Sequence, residues 1–330
     1  MSDFRDLSVA VFGCGHWGKN LVRNFYEIGA LSAISDPDPA TCQRMEETYG
    51  VASGSVDEIL ARNDIDAVVI AAPAELHHPL AMKALAADKH VYIEKPICLD
   101  LKEAREICDT AEHQKKTLMV GHLLQYHPAF LKLKEMVRQG ELGKIRYIYS
   151  RRQNIGKLRV HENVLWSFAP HDISMVLALA GSAPNKVVGF AGNFLQESIS
   201  DFATVQMEFP SKIKAHIEAS WLNPFKEQRL VVVGADAMAE FNDLADWPEK
   251  LKVYRHKARV TDGVPLLDVA EAELVGVEFA EPLRNECEHF LKFIDNNETP
   301  FTDGREAVEV LRVLQAGDAS KDGWKGVNLS

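Results

Sequence analysis

Long apolar runs are absent from this chain of 330 residues. No segment approaches the roughly 18 consecutive apolar residues that a membrane-spanning helix requires. The first residues, MSDFRDLS, also lack the apolar core of a secretory signal. The sequence therefore predicts no membrane partner.

Cysteine is scarce, and its spacing suggests no pairing. The five cysteines are Cys14, Cys42, Cys98, Cys108 and Cys287. They are odd in number and form no CxxC motif, which argues against a disulfide framework or a zinc cluster. We expect reduced thiols in a cytoplasmic protein, and no metal.

Positive charge is in deficit, since the formal net charge is −11. This balance disfavours nucleic acid or an anionic membrane as a partner, and an anionic ligand needs a locally basic pocket.

The chain shows no repeat, low-complexity block or linker rich in Gly and Ser. Its length exceeds the roughly 250 to 300 residues that one core fills. We therefore expect two tightly joined domains.

A glycine-rich stretch near the start, VAVFGCGHWGKN at residues 9–20, runs from an apolar strand through a turn into a helical pattern. In a dinucleotide site of this layout, Gly13 allows the sharp turn and Gly15 lets the backbone approach a pyrophosphate. Gly18 lets the helix pack closely on the strand, and the helix N-terminus supplies amide donors. The stretch therefore predicts a dinucleotide-binding turn.

The residues that follow strengthen this prediction. A helical pattern at 17–28 stops at Gly29, a second strand pattern covers 31–35, and Asp36 comes next. Asp36 lies 18 residues after Gly18, about where a carboxylate binds the ribose hydroxyls. Because a carboxylate repels a 2′-phosphate, the sequence favours NAD over NADP. The alternative is that Asp36 merely forms a turn before Pro37.

Strand and helix patterns alternate in the first third of the chain, which predicts a doubly wound parallel sheet. Consecutive strand patterns without helices between them follow, so the second part is an α+β domain with a largely antiparallel open sheet. We place the domains at 1–123, for coenzyme binding, and 124–330, for substrate binding and oligomerisation. The further strand patterns are 67–71, 90–93, 117–120, 144–152, 186–195, 201–209, 213–221, 228–234 and 250–255. The further helical patterns are 39–49, 77–87, 101–115, 128–139, 281–295 and 304–318.

Two segments end predicted strands with chemically useful residues. AAPAELHH at 71–78 brings Pro73 and His77 to the carboxyl edge of the sheet, where open α/β sheets bind ligands. His77 either lines the nicotinamide side of the cleft or belongs to the first turn of the next helix. VYIEKP at 91–96 places Lys95 on an extended corner, because Pro96 disfavours helical geometry before it. The Lys95 ammonium either stabilises a developing alkoxide or is a solvated surface charge.

The sequence resembles the glucose-fructose oxidoreductase, inositol dehydrogenase and rhizopine catabolism family of NAD(P)-dependent oxidoreductases. The motifs that carry the resemblance are GCGHWG at 13–18, AAPxxxH at 71–77, EKP at 94–96, GHLLQYHPA at 121–129 and WSFAPHDIS at 166–174. It implies a Rossmann domain, an α/β domain whose open sheet makes a homodimer or homotetramer, and catalysis by Lys95 and His171. The coenzyme-binding residues that it implies are Gly13, Gly15, His16, Trp17, Gly18, Asp36, Ala72, Pro73, His77, Glu94, Lys95 and Gln125.

The sequence departs from the family at Ser167. Many relatives carry an aspartate there, four residues before the catalytic histidine and on the same helical face. Serine supplies no charge to stabilise an imidazolium at His171. Asp172 is adjacent to His171 and on a helix points about 100° away, so it is a poor substitute.

Within the family, the likeness is to members that act on UDP-N-acetylglucosamine or its uronic acid. RRQNIGK at 151–157, ENVLWSFAPHDIS at 162–174, SWLNPFKEQR at 220–229 and EPLRNECEHF at 281–290 carry it. It implies NAD-dependent oxidation of the sugar C3 hydroxyl before an aminotransferase makes a 3-amino sugar for lipid A or a surface polysaccharide. The alternatives are a dehydrogenase of a free sugar or inositol, and a non-catalytic NAD-binding sensor.

Six cations of the second domain offer a collective site for the pyrophosphate of such a substrate. They are Arg151, Arg152, Lys157, Arg159, Lys226 and Arg229. Taken singly, each is a solvated surface charge. Glu286 and His289 share one helix face and are expected on the surface. The predicted substrate-binding residues are Lys95, Arg152, Asn154, Lys157, Arg159, Trp166, Ser167, His171, Lys226 and Arg229.

Overall fold

Two units divide the chain in the computed structural model, which describes residues 7–156, 158–321 and the backbone of 327–328. The described residues up to Tyr126 form the first unit together with Glu281–Leu311. The second unit comprises His127–Ala280 and the described residues from Arg312 onward.

The secondary structure follows the predicted alternation of elements in the first unit and consecutive strands in the second. The strands are β1 (Val9–Phe12), β2 (Leu31–Ser35), β3 (Ala52–Ser53), β4 (Ala67–Ile70), β5 (His90–Ile93), β6 (Leu118–Val120), β7 (Tyr147–Ile155), β8 (Lys186–Gly192), β9 (Phe202–Glu208), β10 (Lys214–Ser220), β11 (Leu222–Val233), β12 (Met238–Asn242), β13 (Leu251–Tyr254), β14 (Lys257–Thr261), β15 (Val264–Asp268), β16 (Ala272–Leu274) and β17 (Val327–Asn328). The helices are α1 (Gly18–Ile28), α2 (Pro39–Tyr49), α3 (Val56–Leu60), α4 (His77–Ala86), α5 (Leu101–Gln114), α6 (Pro128–Arg138), α7 (Val164–Ala180), α8 (Pro282–Asn296) and α9 (Gly304–Ser320).

The first unit is built on a six-stranded sheet in the order β3-β2-β1-β4-β5-β6, and every neighbouring pair is parallel. This is the strand order of a doubly wound dinucleotide-binding fold, whose ligands bind at the carboxyl edge where the order reverses between β1 and β4. The predicted parallel sheet is confirmed. The four residues of β1 and of β4 are all buried, as a strand covered on both faces requires.

Helix α8 belongs to the first unit, which corrects the predicted domain boundary. Its apolar residues Leu283, Cys287 and Phe290 are buried in the core that contains β1 and α1. The sequence patterns had predicted a continuous second domain at 124–330. The apolar stripe of α8 showed that this helix must pack on a core, but a stripe does not specify which core.

The second unit is built on a nine-stranded sheet in the order β16-β13-β12-β11-β7-β10-β9-β8-β17. Neighbouring strands are antiparallel except for β7 and β10, which are parallel. The predicted largely antiparallel sheet is therefore confirmed. Helix α7 contacts β7, β9 and β10.

No helical pattern was predicted for 164–180, where the structure has α7, although the family resemblance placed Ser167 and His171 on one helical face. The helix begins at Val164, is capped by Asn163 and contains Pro170 in its interior. Most of α7 is buried on all sides, so its sequence lacks the alternation of apolar and polar residues that marks a surface helix.

Candidate active site

The glycine-rich turn joins β1 to α1 with the geometry that its sequence predicts. Gly13 has a φ of +90°, a left-handed conformation that glycine adopts without strain. A Cβ on Gly13 would lie 2.8 Å from the Ala71 carbonyl group, and one on Gly18 would lie 1.9 Å from the Gly13 oxygen. A Cβ on Gly15 would meet no described atom within 4 Å. The open side at Gly15 therefore leaves room for a pyrophosphate beside the N-terminus of α1.

Asp36 follows β2 and turns its carboxylate toward this loop. Its Oδ2 accepts a hydrogen bond from the Cys14 amide at 2.7 Å, and its Oδ1 accepts one from the Asp38 amide at 2.9 Å. The first bond holds the carboxylate at the glycine-rich turn, where this fold binds the ribose. The first turn of α1, which lies within the described residues, carries no acidic side chain. The residues present therefore fit NAD.

Replacing Asp36 with alanine is expected to weaken NAD binding and relax the discrimination against NADP. The variant loses a charged acceptor for the ribose, worth about 1.5 to 3 kcal/mol, or roughly 10- to 100-fold in the Kd for NAD. It also loses the repulsion of a 2′-phosphate, so NADP should lose less affinity than NAD. Calorimetric titration with each coenzyme measures both constants. Asp38→Ala is the control, because Asp38 caps α2; equal NADP/NAD ratios in the two variants would contradict the assignment.

The corner after β5 carries Glu94, Lys95 and Pro96, and the Lys95–Pro96 peptide bond is cis. Glu94 is buried, and its Oε1 accepts a hydrogen bond from the Trp17 indole at 2.5 Å. Its Oε2 accepts one from the Lys95 backbone amide at 3.2 Å. Glu94 thus connects the glycine-rich turn to the corner, and Lys95 is half-buried at the carboxyl edge of the sheet.

His77 begins α4 and is 1% exposed. Its Nδ1 lies 2.7 Å from the Pro96 carbonyl oxygen, and its Nε2 lies 2.8 Å from the Ala72 carbonyl oxygen. Burial lowers the pKa of His77, although the two carbonyl contacts oppose this shift. Of the two interpretations of His77, the structure fits the second, in which it belongs to the first turn of a helix, and backbone oxygens occupy both of its ring nitrogens. Its ring fastens the Pro96 corner to the end of β4.

The other coenzyme residues that the sequence suggested divide between the surface and the interior of the first unit. His16, Trp17 and Pro73 are exposed, and Ala72 is half-buried. Gln125 is buried in a 3₁₀ turn after β6. Their contacts with a coenzyme stay predictions.

In the second unit, α7 carries Trp166, Ser167 and His171. The Asn163 side chain caps the helix by accepting a hydrogen bond from the Trp166 amide at 3.1 Å. Trp166 and His171 are half-buried, and Ser167 is buried. Ser167 lies one helical turn before His171, so these two side chains share a face of α7.

Asp172 faces β7, away from the side of α7 that carries His171. Its Oδ1 accepts a hydrogen bond from Ser150 Oγ at 2.5 Å, and its Oδ2 accepts one from Arg152 Nε at 2.6 Å. Asp172 is 1% exposed and Arg152 is 9% exposed. Burial acts to lower the pKa of Arg152, but the Asp172 carboxylate outweighs it and raises this pKa. The buried ion pair therefore fixes α7 to the sheet at the residue next to His171.

The structure separates cations that the sequence grouped into one phosphate site. Successive strand residues face opposite sides of a sheet, so Arg152 faces α7 and Arg151 faces away. Arg229 pairs in register with Arg151, and its Nε lies 3.0 Å from a Glu240 carboxylate oxygen. This corrects the expectation of a shared pocket: Arg152 is neutralised by Asp172, and Arg229 lies on the opposite face of the sheet.

The remaining predicted substrate residues lie in loops and near strand ends of the second unit. Arg159 is exposed, with its Nε 3.5 Å from the Glu162 carboxylate. Lys226 is exposed where the β11 register is irregular. Asn154 is half-buried, and its Oδ1 makes no hydrogen bond to a described residue. Lys157 lies outside the described residues.

The prediction that Glu286 lies on a helix surface is wrong. Glu286 is 0% exposed, and burial raises its pKa well above the usual range. Its position three residues after Leu283 and four before Phe290 places it on the buried face of α8. That spacing is a signal of burial that can be read from the sequence.

Three further findings concern metals, membranes and thiols. Within the described ranges, no three or more His, Cys, Asp or Glu side chains are arranged to hold a metal ion. No described helix combines the length and apolar character needed to cross a bilayer. The five cysteines are free thiols.

The strand order, the glycine-rich turn and the placement of Asp36 define a Rossmann-type dinucleotide-binding protein whose residues fit NAD. Two family models match the chain: an oxidoreductase family with an NAD-binding Rossmann fold at residues 7–122, and the GFO/IDH/MocA C-terminal domain at residues 130–240. The chain belongs to the Gfo/Idh/MocA family of oxidoreductases, which confirms the resemblance read from its motifs.

Similar proteins include dehydrogenases of nucleotide sugars and of polyols. UDP-N-acetylglucosamine 3-dehydrogenase of Acidithiobacillus ferrooxidans is 28% identical over 309 residues, which are 92% of this chain and 94% of that protein. A solved structure of this enzyme from the same organism has a TM-score of 0.85 at 26% identity, covering 96% of this chain and 98% of its own. The NAD-dependent scyllo-inositol 2-dehydrogenase of Bacillus subtilis is 25% identical and covers 92% of this chain and 91% of its own.

Proposed function

We propose that this protein oxidises the C3 hydroxyl of UDP-N-acetylglucosamine to the 3-keto nucleotide sugar, with NAD as coenzyme. The observation that carries the proposal is the likeness, over 92% of this chain and 94% of the relative, to a UDP-N-acetylglucosamine 3-dehydrogenase. A 3-keto sugar is a substrate for an aminotransferase, which need form no stable complex with this protein. The reaction would supply a 3-amino sugar for lipid A or a surface polysaccharide.

In the proposed mechanism, Lys95 and His171 act on the same hydroxyl group. His171 accepts the hydroxyl proton, a role that suits imidazole because its ordinary pKa of about 6.5 lies near neutral pH. The Lys95 ammonium stabilises the oxygen as it gains alkoxide character. NAD supplies the hydride acceptor when it is bound. Because Ser167 supplies no negative charge to a protonated His171, Lys95 in its neutral amine form is the alternative acceptor of the hydroxyl proton.

A free polyol such as inositol is the second candidate substrate, and the placement of the cations favours it. Arg152 is neutralised by Asp172, and Arg229 lies on the opposite face of the sheet. The cationic pocket that a pyrophosphate requires is therefore smaller than the sequence suggested. A polyol requires no such pocket.

An NADH absorbance assay distinguishes these substrates. The protein is mixed with NAD and, separately, with UDP-N-acetylglucosamine, its uronic acid or inositol. Protein and NAD are used at similar concentrations so that NADH retained on the protein is also detected. We expect NADH with UDP-N-acetylglucosamine and competition by UDP. NADH from inositol that UDP does not inhibit would replace the proposal with the polyol reaction, and NAD binding with no turnover of any substrate would favour a sensor.

We also propose a homodimer or homotetramer that assembles through the nine-stranded sheet of the second unit. The family resemblance and the predominance of antiparallel strands support this assembly. The free state of all five thiols supports a cytoplasmic location.

A further inference from the structure

His77 is a buried histidine to which the proposed mechanism gives no task. It begins α4 and is 1% exposed. Its Nδ1 lies 2.7 Å from the carbonyl oxygen of Pro96, the residue after Lys95. Its Nε2 lies 2.8 Å from the carbonyl oxygen of Ala72, just beyond β4. The ring therefore joins the corner that carries Lys95 to the end of the neighbouring strand.

The two ring contacts of His77 are not equivalent. A carbonyl oxygen only accepts hydrogen bonds, and a neutral imidazole has a single N–H to donate. Burial lowers the pKa of His77, although the two carbonyl oxygens and Glu75 oppose this shift, and the nearby Lys95 ammonium also lowers it. The ring is therefore neutral near pH 7 and donates to one of the two oxygens. The shorter contact is the one with Pro96, which leads to Lys95.

The backbone of Lys95 is held from both sides. Its amide donates a hydrogen bond to Glu94 Oε2 at 3.2 Å, and Glu94 accepts another from the Trp17 indole. On the other side, the Pro96 carbonyl group meets His77. Because the proline ring locks φ at Pro96, few free rotations separate this carbonyl group from the Cα of Lys95. A fixed Pro96 carbonyl therefore restricts where the Lys95 side chain begins.

We propose that His77 is a positioning residue for Lys95, acting through a hydrogen bond from its Nδ1 to the Pro96 carbonyl oxygen. Without this bond, the carbonyl group turns toward another donor or water, because an unpaired backbone oxygen that faces the interior is costly. The Lys95 backbone follows, and the side chain moves away from the substrate oxygen. The consequence for turnover rests on the proposed function, in which Lys95 acts on that oxygen.

Asparagine and glutamine in place of His77 separate the two ring contacts. Counted in bonds from Cγ, the amide nitrogen of asparagine corresponds to Nδ1 and that of glutamine to Nε2. His77→Asn keeps a donor for Pro96 and should retain kcat within about threefold of the wild type, less than the loss of one hydrogen bond. His77→Gln keeps a donor for Ala72 alone and should lose about 100-fold in kcat, the cost of a catalytic group misplaced by about 1 Å.

The measurements distinguish positioning from a general disturbance of α4. Turnover is measured well below the melting temperature of each variant, and calorimetric titration should show an unchanged Kd for NAD in both. His78→Gln is the matched control, because His78 is the next residue of α4 and its Nε2 lies 2.9 Å from the exposed Glu106 carboxylate. Its kcat should equal that of the wild type. A His77→Gln variant as active as His77→Asn, or more active, would overturn the proposal.

A second comparison tests whether His77 acts through Lys95. In a protein that already carries Lys95→Met, His77→Gln should cause no further loss of kcat, because the group that His77 positions is gone. An equal loss of kcat with and without Lys95→Met would refute the proposed route through Pro96.

Hydrogen exchange at the Lys95 amide tests the same contact without a sugar. This amide donates to Glu94, and it should exchange about tenfold faster in His77→Gln than in His77→Asn or the wild type, the equivalent of one lost hydrogen bond. If the wild type turns over none of the sugars while the exchange rates follow this order, the proposed function fails and the contact between His77 and the corner stands. Turnover by the wild type, with equal exchange rates and equal kcat in the two variants, would retain the proposed function and refute the positioning role.

Discussion

A Lys95→Met variant is expected to lose at least about 1,000-fold in kcat while its Kd for NAD stays within about threefold of the wild-type value. Methionine keeps an unbranched side chain of similar length but has no ammonium. Loss of a group that stabilises a developing oxyanion costs roughly 10²- to 10³-fold, and loss of a proton-transfer partner costs roughly 10²- to 10⁴-fold. NADH absorbance gives the turnover rate, and calorimetric titration gives the affinity.

The local structure around Lys95 explains why Lys95→Met should spare the coenzyme site. The hydrogen bond from the Lys95 amide to Glu94 involves the backbone, so methionine retains it and the coenzyme site should persist. Lys102→Met is the matched control, because Lys102 is an exposed lysine in the first turn of α5. Its turnover should match the wild type. Near-normal turnover by Lys95→Met would exclude the ammonium from the chemistry.

The sequence predicted the coenzyme-binding part of the fold because its signals are local. A turn that needs left-handed geometry at Gly13 and close packing at Gly18 leaves its record within a few residues. Buried parallel strands are short apolar runs, and helices such as α2 carry a capping aspartate, Asp38, directly before a proline. Each of these features can be read without knowing what lies across the sheet.

Two features that the sequence did not predict depend on contacts between distant segments. Arg152 on β7 and Arg229 on β11 are one position apart in the register of these neighbouring strands. Their side chains therefore lie on opposite faces of the sheet. His77 follows β4, but its ring contacts the carbonyl oxygen of Pro96, which follows β5. The sequence pattern around His77 does not show this contact. The burial of Glu286 is different, because its spacing from Leu283 and Phe290 already placed it on the apolar face of α8.

Removing the carboxylate of Asp172 is expected to destabilise the second unit by about 3 to 5 kcal/mol, the usual cost of leaving a buried charge without its partner. In Asp172→Ala, the Arg152 guanidinium stays inside the unit without its carboxylate, and the Ser150 hydroxyl keeps only the Arg229 carbonyl oxygen at 3.2 Å as an acceptor. Since Asp172 joins α7 to β7 next to His171, the position of that histidine should also become less defined. Urea denaturation followed by circular dichroism, extrapolated linearly to water, measures the loss.

Two comparisons assign this loss to the burial of the ion pair. Arg138 and Glu135 form an exposed pair at 2.7 Å, and Glu135→Ala should cost less than about 1 kcal/mol. The double variant Arg152→Met, Asp172→Leu removes both charges and should regain most of the stability that Asp172→Ala loses, because apolar groups of similar size often replace a buried pair without cost. If Asp172→Ala unfolds at the wild-type urea concentration, or if the double variant is no more stable than Asp172→Ala, the pair does not carry the role assigned to it.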